Sequence, residues 1–310
     1  MHTRSYLLAL CQTAWHIGSA SAAVYQSRVQ ERGTIFKAPA EYGTWLMSPY
    51  VVTRGSVNID YPALAYIQTI GTSSGNVEVQ VTPSYDGYDV VVSDETSAFT
   101  LQNDGVWTLA DYDHDGLPDL IYIQNRNTPS GKVEISVASG ASGFKTYLVE
   151  SAETVFDVQV DGRWQMIDVD GDGKLDLVYI QNSNTASNYV EVNIASGASA
   201  YTTLTSQTVS SFSIANDGTW LLADWNMSGS YDLFYIQNIA TTTGYVEVTV
   251  ASAASGYQTI IQSVSTTFSL EDNGTWMMYD WNGDDILDLI YIKQDNTAGT
   301  VEVHVASGAS

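Results

Sequence analysis

Two nine-residue stretches carry carboxylates in alternation, Asp111-Tyr-Asp113-His-Asp115-Gly116-Leu117-Pro-Asp119 and Asp168-Val-Asp170-Gly-Asp172-Gly173-Lys174-Leu-Asp176. In both, acidic side chains occupy loop positions 1, 3, 5 and 9. The alternation lets side chains converge on one point, and glycine at position 6 permits the sharp turn that brings them there. The main-chain carbonyl at position 7, from Leu117 or Lys174, can add another oxygen. Hard oxygen donors in this number suit Ca2+, which accepts about six to eight of them at irregular angles, better than Mg2+. Soft-metal chemistry is not indicated, because the chain has a single cysteine, Cys11, and scattered histidines, His2, His16, His114 and His304.

Two further stretches keep part of the pattern. Asp280-Trp-Asn282-Gly-Asp284-Asp285-Ile286-Leu-Asp288 retains oxygen donors at the same positions but places Asp285 where glycine is expected, a left-handed position that aspartate tolerates at some cost. Asp224-Trp-Asn226-Met-Ser228-Gly229-Ser230-Tyr-Asp232 has only two carboxylates, which predicts a weaker site. A fifth comparable segment, Pro49 to Ala63, is longer and has lost the pattern. The expectation is two to four Ca2+ sites, with none in the first repeat. A competing reading stays open, in which the aspartates hold a turn through side-chain to backbone bonds without metal.

Other side chains suit a ligand. Trp225 and Trp281 occupy loop position 2, where a partly exposed indole beside the metal could stack on a sugar; Tyr112 and Val169 fill the equivalent places. Tyr122-Ile-Gln124, Tyr179-Ile-Gln181 and Tyr235-Ile-Gln237 each pair an aromatic face with an amide. That pairing fits a hydroxyl-rich ligand, and its repetition would make binding multivalent. The alternative is that Tyr and Gln satisfy each other across repeats. Glu78, Glu134, Glu191, Glu247 and Glu302 recur once per repeat, whereas a catalytic pair needs two carboxylates in unlike environments. No Ser, His and Asp arrangement is suggested, so no catalytic residue is nominated. Asn273-Gly-Thr275 is an N-glycosylation sequon if the protein is secreted, and Asn226-Met-Ser228, inside a loop, reads as a chance match.

These residues belong to a larger repeat anchored on Trp45, Trp107, Trp164, Trp220 and Trp276, the last four spaced by 57, 56 and 56 residues. Each unit divides into four short segments rich in Val, Ile, Thr and Tyr, separated by Gly, Asn, Asp and Ser. Direct repetition of four antiparallel strands predicts an all-β chain, a β-propeller of four-stranded blades. The Trp of each unit, at the start of the innermost strand, reads as blade-to-blade core more than as a ligand platform.

The last unit stops at Ser310 without a fourth strand, while Val24 to Phe36 precedes Trp45 as Gly256 to Phe268 precedes Trp276. An orphan strand at one end and an incomplete blade at the other predict a five-bladed ring closed by the N-terminal strand, since closure removes two open edges. A fragment of a longer array remains the alternative. The propeller is placed at 24–310.

Residues 1–23 permit two readings. Met-His-Thr-Arg, the apolar run Tyr6 to Cys11 and Ala20-Ser-Ala22 look like a secretion signal, but His16 to Tyr25 also resembles repeat sequence such as Val137 to Phe144. Lys and Arg total 11 against 35 Asp and Glu, a formal charge of -24 that argues against nucleic acid and anionic lipid as partners. No apolar run reaches the ~18 residues of a membrane span.

Asp-x-Asp-x-Asp-Gly-x-x-Asp between two strands, repeated around a propeller, resembles the FG-GAP or VCBS repeats of integrin alpha-chain heads and of secreted fungal and bacterial proteins. The whole unit, as in Gly218 to Asp224 and Tyr245 to Ser252, is similar to fungal repeats that occur alone or appended to lysozyme-type glycoside hydrolases. The resemblance implies a secreted, Ca2+-binding module, and fungal propeller lectins of related architecture imply a glycan or glycoprotein partner. Two alternatives remain: a cell-wall polysaccharide hydrolase or its accessory domain, and a protein-protein interaction scaffold.

Overall fold

A computed structural model describes residues 24–38, 43–54 and 57–309. The two readings of residues 1–23 lie outside these. Short β-branched and aromatic runs broken by turn residues give strands throughout, arranged as five four-stranded antiparallel sheets. Blade I holds β2 (Gly43–Arg54), β3 (Val57–Gln68), β4 (Asn76–Pro83) and β5 (Ser93–Thr100). Blade II holds β6 (Gly105–Ala110), β7 (Asp119–Gln124), β8 (Lys132–Ala138) and β9 (Tyr147–Asp157). Blade III follows with β10 (Arg163–Ile167), β11 (Asp176–Gln181), β12 (Tyr189–Ala195) and β13 (Leu204–Ser213), and blade IV with β14 (Gly218–Ala223), β15 (Asp232–Gln237), β16 (Tyr245–Ala251) and β17 (Ile260–Ser269). Blade V takes β18 (Thr275–Tyr279), β19 (Asp288–Lys293) and β20 (Thr300–Ala306) from the end of the chain and β1 (Arg28–Lys37) from its beginning.

The inner strands β2, β6, β10, β14 and β18 each lie against the next, and β18 returns to β2, so the ring is closed at five blades. The closing seam pairs Glu31 with His304 and Arg32 with Val303. It is pinned beyond the strands by Tyr25 N–H donating to the Ser307 carbonyl at 2.8 Å.

The core lies between blades. Ile121, Ile123, Ile135 and Val137 of blade II, for example, meet Trp164, Met166 and Leu177 of blade III. Each such fully buried aliphatic contributes roughly 1.5–3 kcal/mol. The five repeat tryptophans are buried here, each stacked on the Tyr of its own second strand with ring centres 4.1 to 4.3 Å apart. A Phe from the fourth strand of the preceding blade meets each indole edge-on at 5.0 to 5.3 Å.

A further aromatic per blade, Tyr25, Tyr88, Phe144, Tyr201 or Tyr257, is buried with φ between 59° and 65° and packs against the preceding blade. Left-handed backbone at a non-glycine residue costs about 1–2 kcal/mol, and burying the ring offsets it.

Blade I departs from the repeat. Its β2 and β3 are 12 residues each and stay paired out to Arg54 and Val57, so a projecting hairpin stands where the other blades carry an Asp loop. Among the described residues no helix is long and apolar enough to cross a membrane.

Candidate functional site

The four Asp loops, between β6 and β7, β10 and β11, β14 and β15, and β18 and β19, share one backbone course. Positions 4 and 6 are left-handed in each: His114 and Gly116 (61° and 88°), Gly171 and Gly173 (74° and 81°), Met227 and Gly229 (52° and 80°), Gly283 and Asp285 (74° and 63°). Position 1 accepts the N–H groups of positions 5 and 6. Asp111 takes Asp115 and Gly116 at 3.1 and 3.0 Å, and Asp168 takes Asp172 and Gly173 at 3.1 and 3.0 Å. Asp224 does the same with Ser228 and Gly229, and Asp280 with Asp284 and Asp285. The N–H groups of Leu117, Lys174, Ser230 and Ile286 donate to the position 5 side chains Asp115, Asp172, Ser228 and Asp284.

Position 9 lies beneath the loop. Asp119, Asp176, Asp232 and Asp288 are each 5% exposed or less. One oxygen of each accepts an N–H from the turn after the third strand: Gly140 at 2.7 Å and Gly197, Ala253 and Gly308 at 2.8 Å. The other oxygen of Asp119, Asp176 and Asp288 accepts the N–H of Tyr112, Val169 and Trp281 respectively. Burial raises the pKa of all four carboxyls, and these backbone donors only partly counter it.

Two loops concentrate charge further. The carboxylates of Asp111, Asp113 and Asp115, and those of Asp168, Asp170 and Asp176, each bring three oxygens within 4.8 Å of one another. The donors are all oxygen, the set that Ca2+ prefers, and mutual repulsion of three like charges is what a divalent cation relieves. Because a carboxylate oxygen accepts more than one bond, the backbone contacts and a cation are compatible. The loop of blade V has Asp280, Asp284 and Asp288 with Asn282, whose amide donates to Asp284 at 3.0 Å. Blade IV offers Asp224 and Asp232 with Asn226, Ser228 and Ser230.

The aromatic and amide candidates are all engaged within the chain. Trp225 is half-buried against Tyr25 and Phe234, and Trp281 donates its indole N–H to the Tyr88 hydroxyl at 2.9 Å. Tyr122, Tyr179 and Tyr235 stack on their tryptophans and donate their hydroxyls to Asp104, Asp161 and Asp217. Burial, reinforced by those aspartates, holds the three phenols well above their ordinary pKa. Gln124 and Gln237 donate to Asp104 and Asp217 at 3.1 and 2.8 Å, and Gln181 to the Asn184 carbonyl at 3.4 Å. In place of a Tyr–Gln partnership across blades, Tyr and Gln of blades II and IV share an aspartate of their own blade, and in blade III Asp161 takes Tyr179 while Gln181 turns to Asn184.

That aspartate was missed from sequence, although Asp104-Gly105-Val106-Trp107, Asp161-Gly162-Arg163-Trp164 and Asp217-Gly218-Thr219-Trp220 spell it out. The glycine admits the Tyr ring: a Cβ on Gly105 would lie 2.4 Å from the Ile123 carbonyl and 2.6 Å from Tyr122. In blade V, Asn273 takes the aspartate's place, its amide bonded to Asp295 and its oxygen to the Tyr291 hydroxyl, so the sequon side chain is already engaged. Hydroxyls of Ser74, Ser130, Ser187 and Thr243 donate to Glu78, Glu134, Glu191 and Glu247 at 2.6 to 2.8 Å, and Glu302 meets His304 at 3.0 Å.

No protein-family model matches the chain. A T-cell immunomodulatory protein homolog from Plasmodium yoelii yoelii is 30% identical over 135 residues, 40% of this chain and 19% of that protein, so the match spans about a fifth of the relative's length. Among solved structures, the catalytic domain of a Coprinopsis cinerea GH62 α-L-arabinofuranosidase aligns over 93% of this chain and 99% of its own, with a TM-score of 0.53 and 9% identity. A GH43 β-xylosidase/α-arabinofuranosidase from a compost microbial metagenome aligns over 89% and 94%, with a TM-score of 0.48 and 14% identity. At such identities the likeness speaks to fold, and function has to be argued from the site. The chain is a five-bladed β-propeller with glycoside hydrolase propellers among its structural neighbours.

Proposed function

We propose that the protein is a secreted, Ca2+-stabilised propeller of the FG-GAP or VCBS kind that binds carbohydrate without turning it over. The observation that carries the metal part is the convergence of three carboxylates in each of two adjacent blades, Asp111, Asp113 and Asp115 in one and Asp168, Asp170 and Asp176 in the other. Blades IV and V would hold Ca2+ more weakly, through Asp224, Asn226, Ser228 and Asp232 and through Asp280, Asn282, Asp284 and Asp288. Bound Ca2+ would tie the first inner strand of a blade to the second and stabilise the folded state by mass action. The secreted, glycan-binding part rests on the resemblance of the loops and of the whole repeat.

A binding role is favoured over hydrolysis by the state of the carboxyls. Among the described residues, the carboxyls with a pKa raised by burial, the direction a general acid requires, Asp119, Asp176, Asp232 and Asp288, are each held beneath a loop by backbone donors. The hydrolase reading keeps one observation in its favour, the fold shared with a GH62 arabinofuranosidase. Glycan-array binding in saturating Ca2+, run beside an assay for released sugar on the same ligands, separates the two. Binding without release is expected; release of sugar would replace the binding module by an enzyme.

A further inference from the structure

The fivefold repeat is broken at the blade I hairpin, and a groove lies on each flank of it. On one flank, toward blade II, Pro49, Val51, Leu109 and Leu117 line an apolar-walled space of about 570 Å3. On the other flank, toward blade V, a space of about 540 Å3 is lined by Tyr61, Tyr85, Tyr279 and Trp281 together with Asp60 and Asp280. Asp60 borders both. The second groove falls in the ~300–1,000 Å3 range of small-ligand sites and has their composition, aromatic walls with a few convergent polar groups.

Its geometry suits a sugar ring. Tyr85 is 48% exposed and meets Tyr61 at 4.9 Å and 67°, so two aromatic surfaces at an angle form one wall. Trp281 is held in place by its bond to Tyr88, which fixes the opposite wall before any ligand arrives. The apolar face of a pyranose packs on such rings while its hydroxyls donate to flanking carboxylates. Asp60 in the lining, and a chain charge of -24 that stays strongly negative even with Ca2+ on Asp280 and in the other loops, disfavour a sulfated or uronic acid ligand.

We propose that this groove binds a short neutral oligosaccharide, with Tyr61 and Tyr85 as stacking surfaces, Trp281 as the fixed opposite wall and Asp60 as a hydroxyl acceptor. The assignment rests on the carbohydrate reading above and gives it a place and a charge preference. It differs from repeat-based multivalent binding, because its lining includes Asp60, Tyr61, Pro62 and Tyr85 of the irregular blade I.

The test is titration calorimetry of the full chain in Ca2+ with neutral xylo-, gluco- and chito-oligosaccharides and with oligogalacturonate, in wild type, Tyr85→Ala, Tyr85→Phe and Asp60→Asn. At least one neutral series should bind and the charged one should not. Tyr85→Ala should weaken binding about tenfold, one decade being ~1.4 kcal/mol of lost ring contact, and Tyr85→Phe should retain it. Asp60→Asn should weaken it severalfold; should Tyr85→Ala melt early, Asp60→Asn and Tyr85→Phe decide. Neutral binding undiminished by Tyr85→Ala and Asp60→Asn would overturn the groove while leaving the carbohydrate reading intact. Absence of binding by every glycan would overturn both.

Discussion

Asp176→Asn, set beside Asp170→Asn, separates what the loop does as a turn from what it does as a cation site. Asp176 is 1% exposed, and its two oxygens accept the Gly197 and Val169 N–H groups at 2.8 and 3.1 Å. Asparagine keeps one acceptor and turns an NH2 toward the other donor, leaving a buried N–H unsatisfied at a cost of about 1–3 kcal/mol. Loss of charge assistance on the surviving bond adds to this. Working against it, burial holds the Asp176 pKa above its ordinary value, so the charge it removes already carried a desolvation cost. The balance is about 2 kcal/mol, or roughly 3 °C in melting temperature for a chain of this size. Asp170 is exposed and accepts a single N–H, from Asp172 at 3.1 Å, a bond that asparagine can keep. In chelator its substitution should therefore stay within about 0.5 kcal/mol. In Ca2+ at about a hundred times the dissociation constant, wild type should gain ~2.7 kcal/mol per linked site, and both variants should lose part of that gain. Thermal or urea unfolding in chelator and in Ca2+ reads both effects. If Asp176→Asn unfolds together with Asp170→Asn in chelator, the buried acceptor does not hold the loop and the reasoning fails.

Three further outcomes follow from the scaffold. Gly162→Ala places a Cβ 2.4 Å from the Tyr179 ring and 2.7 Å from the Ile180 carbonyl at φ +83°, whereas Gly131→Ala at φ +72° meets nothing within 4 Å. Denaturant midpoints should show the first costing about 2 kcal/mol or more and the second about 1 kcal/mol. Partial burial pushes the Asp161 carboxyl up, but hydrogen bonds from Ser183, Asn184 and Tyr179 together outweigh it and leave its pKa below the ordinary 3.8. A depressed folded pKa means that the stabilisation is complete above the unfolded value and fades as pH falls through the folded one. Asp161→Asn should accordingly flatten the acid limb of a stability-versus-pH curve below the ordinary value. Tyr25→Ala empties a fully buried wedge beside the closing seam, and calorimetric melting should show a loss of about 3–5 kcal/mol.

The periodic residues made the architecture readable. Trp45, Trp107, Trp164, Trp220 and Trp276 mark the inner strands because each needs the same interblade slot, and the match of Val24–Phe36 to Gly256–Phe268 foretold that β1 would complete blade V. Local loop chemistry was readable for the same reason at position 6, where Asp285 does adopt φ 63°, while the left-handed turn at position 4 emerged only in the structure. What the sequence hid depends on partners remote in the chain or on non-repetition. The Asp-Gly-x-Trp recurrence marks Asp104, but only the β6–β7 pairing shows that the Tyr122 hydroxyl, 18 residues later, turns to it. The segment Pro49 to Ala63 read as a lost metal loop, yet Val51-Val52-Thr53 and Val57-Asn58-Ile59 around Gly55 carry hairpin composition. Tyr61, Tyr85 and Trp281 come together only because ring closure sets blade V beside blade I.

Calcium binding to the propeller is the claim on which the functional account turns, and titration calorimetry of Ca2+ into chelator-stripped protein tests it most directly. The two carboxylate clusters predict saturable binding at two or more sites, reduced when Asp113→Asn and Asp170→Asn are combined. No saturable heat, and no difference between wild type and that double variant, would make the loops turns held by their own backbone bonds and remove the metal from the account.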